Sequence, residues 1–195
     1  MARDQLVRLD SHQAAQILGD LAARVRSIPR GMDLVVVRAL NRSITAMRDE
    51  SAQAIRAEYA APARDVKATM VITRATRQKM VAVLRAHGKM SIPLIRWGAR
   101  RTKKGVTVLI RKGGGRKRVV SLEGQQLPGV FIAKGEVYAR MTKARLPIRR
   151  LYGPSFLAVL NRPEVQAARQ ERAEKVFAAR VLAEANYLLS KELAA

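Results

Sequence analysis

The stretch Gly105-Val106-Thr107-Val108-Leu109-Ile110-Arg111-Lys112-Gly113-Gly114-Gly115-Arg116-Lys117-Arg118-Val119-Val120 decides how the chain is read. Residues 105–110 are rich in β-branched side chains and predict a strand. Three consecutive glycines predict a turn, because glycine enters positive φ without steric cost. Arg118-Val119-Val120 predicts a returning strand. The result is a hairpin studded with cations. Arg100, Arg101, Lys103 and Lys104 precede it, and Arg111, Lys112, Arg116, Lys117 and Arg118 follow its first strand.

Moving outward, the neighbouring segments are also short and β-prone. Val71-Ile72-Thr73, Met80 to Leu84, Val130 to Ala133 and Val137 to Arg140 read as strands, the last two paired across Lys134-Gly135-Glu136. Ile92-Pro93-Leu94-Ile95 reads as an extended edge piece, since proline cannot donate to a ladder. Farther out the period changes from two to between three and four. Leu34, Val37, Leu40, Ile44, Met47, Ser51 and Ile55 predict a helix over 31–59, and Ala60-Ala61-Pro62 closes it. A short helical turn is expected from Ala63 to Thr69, and another from Phe156 to Leu160 behind Ser155. Asn161-Arg162-Pro163-Glu164 has capping-box spacing with proline in the first turn, so a helix is expected over 162–193. Its apolar face is Ala173, Val176, Phe177, Val181, Leu188 and Leu189. Residues 3–27 read as a helix weakened at Gly19, and Ser27-Ile28-Pro29 breaks it. The expected fold class is α+β, with long N- and C-terminal helices packed on a small, mainly antiparallel β-sheet. The domain reading is an N-terminal helical arm, 1–30, and a single domain, 31–195, whose centre is 64–150.

Charge follows the same partition. Residues 64–150 hold 23 Lys and Arg against 3 Asp and Glu, while the whole chain of 195 residues carries +23. A near-neutral frame thus presents a cationic insert. Such a surface meets polyanions or acidic proteins, or is diluted over a large assembly. The chain has no cysteine, which excludes disulfides and zinc–thiolate sites. No secretory leader is read in Met1–Asp10 and no apolar run is long enough for a membrane span, so no membrane partner is expected.

Catalysis is not expected. The histidines are His12 and His87, in segments of different character. Asp10-Ser11-His12 has triad residue types, but consecutive side chains do not converge as a triad requires. Asp65, Glu123 and Glu136 are too sparse for a two-metal carboxylate site. Lys112-Gly113-Gly114-Gly115-Arg116-Lys117 lets backbone approach an anion, yet lacks the GxxxxGK spacing of a Walker loop. No cofactor or metal is implied. Nucleic-acid contact through the basic hairpin would be sequence-independent and salt-sensitive. Trp97 reads as a core residue or a stacking platform. Last, Lys143 to Ser155 alternates apolar and basic residues between two prolines. It reads as a crossing strand or as an interface strip, with Arg145, Leu146, Pro147, Ile148, Leu151 and Tyr152 as its contacts.

Several motifs occur in a specific order: Ile92-Pro93-Leu94-Ile95-Arg96-Trp97-Gly98-Ala99-Arg100, Gly105-Val106-Thr107-Val108, Lys112 to Lys117, Gly129-Val130-Phe131-Ile132-Ala133, and Ala144-Arg145-Leu146-Pro147-Ile148 to Leu151-Tyr152-Gly153-Pro154-Ser155. Ala39-Leu40-Asn41-Arg42 and Ile55-Arg56-Ala57-Glu58-Tyr59 stand ahead of them. Over roughly residues 30–190 the chain resembles the minor tail protein Z family of long-tailed phages and prophages. The resemblance implies a virion structural protein, not an enzyme, at the head-proximal end of the tail. It implies tail completion or head–tail joining, and a homo-oligomeric ring, expected to be a hexamer, around the DNA channel. The partners implied are further copies of itself, tail terminator, tail tube, head-connector or neck proteins, and packaged double-stranded DNA. The charge alone also suits a free-standing nucleoid- or RNA-associated protein and, less well, an assembly chaperone for acidic partners.

Overall fold

The structure is a computed structural model, and it describes residues 11–86, 92–122, 125–127 and 129–193. The described residues group into two compact units. One comprises 11–51, 70–86 and 160–193, and the other 52–69 and 92–159. Helices and small antiparallel sheets give the α+β class expected from the sequence.

The first unit is built on helices. α1 is Ser11–Leu18 and α2 is Leu21–Ser27. The one helix expected over 3–27 is therefore two, because Gly19 adopts φ +49°. α3 is Gly31–Glu58, whose residues up to 51 belong here. Gly31 faces the α2 terminus so closely that a Cβ would lie 2.4 Å from the Val25 carbonyl oxygen. The buried side of α3 carries Val35, Val36, Ala39, Leu40, Ser43, Ile44, Met47 and Ser51. The two serines sit in this apolar row because each hydroxyl donates to a carbonyl four residues back, Ser43 to Ala39 and Ser51 to Met47, both at 2.8 Å.

The strands β1, Met70–Thr73, and β2, Val83–Ala86, pair antiparallel. The expected strand from Met80 thus starts later, at Val83. Asn41 of α3 grips the loop between the strands. Its Nδ2 donates to the Ala75 carbonyl at 3.1 Å, and its Oδ1 accepts from the Ala75 amide at 2.8 Å. The unit closes with the C-terminal helix, which is α6, Pro163–Leu193. It buries Arg169, Ala173, Phe177, Val181 and Ala185, a stripe at four-residue spacing. Arg38 of α3 donates to Glu184 of α6 at 2.9 Å.

The second unit begins with the last turns of α3 and α4, Ala63–Ala68. A 3-10 helix follows at Leu94–Trp97. This corrects the extended reading of Ile92 to Ile95. Pro93 holds φ −53°, and the turn buries Leu94 and Trp97 together before Gly98 ends it at φ +63°. Next come β3, Arg100–Thr102; β4, Gly105–Val108; β5, Lys117–Arg118; β6, Ser121–Leu122; and β7, Gln125–Gln126. β8, Gly129–Ala133, and β9, Glu136–Arg140, form the expected hairpin across Lys134-Gly135. β10, Ile148–Arg150, and the short α5, Leu157–Leu160, complete the set. Among the described residues every pairing is antiparallel, but the strands make four small sheets instead of one: β1-β2, β3-β4-β5, β6-β7 and β10-β9-β8.

The core of this unit centres on Trp97, which is 1% exposed. Tyr59 meets it edge-on at 6.1 Å, and Phe156 lies 5.8 Å away. Trp97 is therefore a core residue and offers no stacking platform. Its Nε1 donates to the Ile92 carbonyl at 3.3 Å, which satisfies its one polar atom. The readings that fall on 1–10, 87–91, 123–124 and 128, including the His87-Gly88 turn, lie outside the described residues.

Candidate nucleic-acid and subunit interfaces

All nine candidate cations of the basic hairpin are exposed, and they gather on one sheet and its ends. Arg100 and Arg101 lie on β3, Lys103 and Lys104 in the turn to β4, and Lys117 and Arg118 on β5. Arg111, Lys112 and Arg116 belong to the loop between β4 and β5. Register puts Arg100, Thr107 and Arg118 in one cross-strand row. Arg101 opposes Val106 and Lys117 opposes Val108, so these two cations flank the buried valines from the sheet's outer strands.

The glycine loop is anchored at its base. Ala60 donates to the Ile110 carbonyl at 2.8 Å, and Lys112 to the Glu58 carbonyl at 2.9 Å. Tyr59 and Arg111 form an isolated antiparallel bridge. Gly113 and Gly115 take φ +75° and +65°, which explains the requirement for glycine there. Two of the arginines are turned back on their own sheet. Arg116 donates to the carbonyls of Gly98 and Thr107, and Arg118 donates to the Lys104 carbonyl at 3.3 Å. Those bonds hold each guanidinium in place but leave its charge uncompensated. None of the nine forms an ion pair with a carboxylate among the described residues.

Two of the described acids of this unit, Asp65 and Glu136, are engaged elsewhere. Asp65 accepts from Nε and Nη2 of Arg96 at 2.9 and 3.0 Å. That pairing raises the Arg96 pKa above its ordinary value. Glu136 accepts from Arg150. Asp65, Arg96 and Glu136 line one pocket of about 500 Å³ together with Ala68, Thr69, Ile92 and Pro93. Among the described residues no group of three metal-ligating side chains occurs, and no helix is long and apolar enough to cross a membrane.

The interface strip divides under inspection. Leu146 is 67% exposed, Ile148 42% and Tyr152 44%, and Arg145 and Pro147 are exposed beside them. Leu151 is different. It is buried, its amide donates to the Val137 carbonyl at 2.8 Å, and its carbonyl accepts from Leu94 at 2.9 Å. It anchors the strip to its own protomer and presents no side chain outward, which corrects its assignment as a contact. Pro93 bridges Tyr152, and the Arg150 guanidinium lies 5.3 Å from the Tyr152 ring centre. Ile148 and Tyr152 are thus mounted on a hydrogen-bonded stretch of backbone, with Leu146 just ahead of it.

A feature that the sequence reading passed over is the basic loop between β1 and β2, with Arg74, Arg77 and Lys79 exposed. Its charge lay within the basic centre, but nothing in the sequence showed that Asn41 would clamp it.

Compared with known proteins, residues 20–193 match the family model of the prophage minor tail protein Z (GPZ). No curated protein and no solved structure matches the chain.

Proposed function

This chain belongs to the prophage minor tail protein Z family, a structural component of the phage virion, and on that premise we propose that it completes the tail at its head-proximal end as a homo-oligomeric ring around the DNA channel. The observation that carries this reading is the β3-β4-β5 sheet, whose cations are exposed and unpaired with carboxylates among the described residues. Like charge collected without counter-ions destabilises a free protein and favours a polyanionic neighbour. Duplex DNA supplies one negative charge per roughly 1.7 Å of axis, and a ring brings several such sheets to it at once. Binding of this kind is indifferent to sequence, as passage of a whole genome requires.

The exposed Leu146, Ile148 and Tyr152 supply the second part of the reading. Exposed apolar side chains on and beside the edge strand β10 suit contact with the next subunit, and repeated head-to-tail contact closes a ring. Six copies is the expected number. Tail terminator, tail tube and head-connector proteins are the neighbours such a ring would meet.

Cryo-electron microscopy of intact particles tests the proposal. The expected density is a ring between the tail tube and the head, with the β3-β4-β5 sheet turned toward the lumen. A single copy per particle, or absence from the particle, overturns the ring. Recovery of the protein with host nucleic acid and not with particles would favour a free-standing nucleic-acid-binding protein.

A further inference from the structure

We propose that the loop between β1 and β2 is a second phosphate-contact element for duplex DNA, held in its binding shape by Asn41. It lies in the first unit, apart in sequence and in compact unit from the nine cations considered above. It extends the channel reading and rests on it only for the identity of the polyanion.

The loop spans nine residues, 74–82, between Thr73 and its partner Val83. Hairpin loops are mostly two to five residues long, and longer ones are commonly either unstructured or functional. This one is structured. The Thr76 amide donates to the Lys79 carbonyl at 2.9 Å, and the Lys79 amide donates to the Thr76 hydroxyl at 3.1 Å. The Val81 amide also donates to the Lys79 carbonyl, at 2.9 Å. Ala75 is 4% exposed and is fixed through both its backbone polar groups by Asn41.

What this scaffold presents is cationic. Arg74, Thr76, Arg77, Gln78 and Lys79 are exposed, and residues 70–86 contain no acidic side chain. Arg74, Arg77 and Lys79 form no ion pair among the described residues. Arginine, lysine, threonine and glutamine are all suited to phosphate oxygens. A clamped loop also avoids most of the ordering cost that a free loop pays on binding. Contacts to successive phosphates need both properties, charge and a fixed backbone.

The test measures duplex DNA binding from 50 to 200 mM salt by the full-length protein and three variants. In Arg74/Arg77/Lys79→Ala the salt slope should become shallower by about 2–3, since each lost phosphate contact removes about 0.9. Arg100/Arg101/Lys117→Ala serves as the comparison, and its loss should add to that of the loop variant. Asn41→Ala keeps every charge, so its slope should stay near that of the wild type while affinity falls about two- to tenfold. Amide exchange at Ala75 should quicken in the same variant.

A wild-type slope in the loop variant overturns this proposal. If the sheet variant then still shows a shallower slope, the channel-facing reading of β3-β4-β5 survives alone. The reverse pattern removes the sheet and keeps the loop. An Asn41→Ala protein that binds as the wild type overturns the clamp. Wild-type protein without DNA affinity at 50 mM salt overturns both surfaces, and an acidic protein then becomes the partner of each.

Discussion

A single added methyl group separates two kinds of glycine in this protein. At Gly153 a Cβ would lie 2.2 Å from Nε1 and 2.4 Å from Cε2 of Trp97, both part of a ring packed on every side. Gly153→Ala should therefore destabilise the protein by about 3 kcal/mol, the upper part of the overpacking range, read from urea unfolding. At Gly113 nothing lies within 4 Å, but φ is +75°. There the same change should cost about 1 kcal/mol, from backbone strain alone. Equal losses at the two sites would contradict this division. A Gly-Pro pair such as Gly153-Pro154 is a local turn signal, whereas the need for glycine at 153 comes from a tryptophan far away along the chain. Leu151 and Tyr152 teach a related lesson. Both read as contacts because both are apolar, yet in extended backbone, as just after β10, neighbouring residues point to opposite faces. That alternation was present in the sequence and would have separated them. Leu151→Ala should cost about 2–5 kcal/mol as a core truncation. Tyr152→Ala should leave the unfolding midpoint nearly unchanged, and a large drop would make it a core residue too.

The hairpin of β8 and β9 carries its own strain. Its two turn residues, Lys134 and Gly135, both have positive φ, +48° and +73°. Two-residue hairpin turns with this geometry favour Asn-Gly, and lysine sits there against its preference. Lys134→Asn should stabilise the protein by up to about 1 kcal/mol, visible as a higher thermal midpoint. No gain, or a loss, would mean that Lys134 makes contacts that outweigh its backbone cost. This hairpin was legible, because glycine between two β-prone runs is a local signal. So were α3 and α6, whose periodic residues extend over many turns. The 3-10 helix at Leu94–Trp97 was hidden by its proline. Pro93 argues against a strand interior, but it suits the entry to a helical turn equally well. The spacing of three between Leu94 and Trp97, both buried, was the available clue. Three short strands, β3, β6 and β7, were not read from the sequence, since two or three residues carry too little pattern. Pairing into four separate sheets depends on contacts between segments distant in sequence, and the period of two says nothing about them.

At the scale of the whole molecule, charge and apolar surface assign different tasks to different parts. The nine cations of the basic hairpin were legible as a cluster from composition, and the fold gathers them on one sheet and the turns that join its strands. Which of them remain free to reach outward was not legible, since Arg116 and Arg118 spend their donors on carbonyls brought near by the turns. Subunit contact is proposed to fall to three exposed side chains: Ile148, on β10 and paired with β9; Tyr152, whose neighbours bond to Ile92 and Leu94; and Leu146, just before β10. Replacing Leu146 and Ile148 by Ser removes apolar area from the surface and none from the core. The isolated double variant should therefore keep the wild-type circular dichroism and unfolding midpoint, because exposed substitutions usually change stability by less than about 0.5 kcal/mol. In a phage or prophage lacking the wild-type gene, the same variant should reduce the yield of completed infectious particles while tails and heads accumulate separately. Particle counts by electron microscopy and plaque titre read this directly. Normal yield from a folded variant would show that the strip joins nothing essential, and the subunit contact would then have to be sought on another surface.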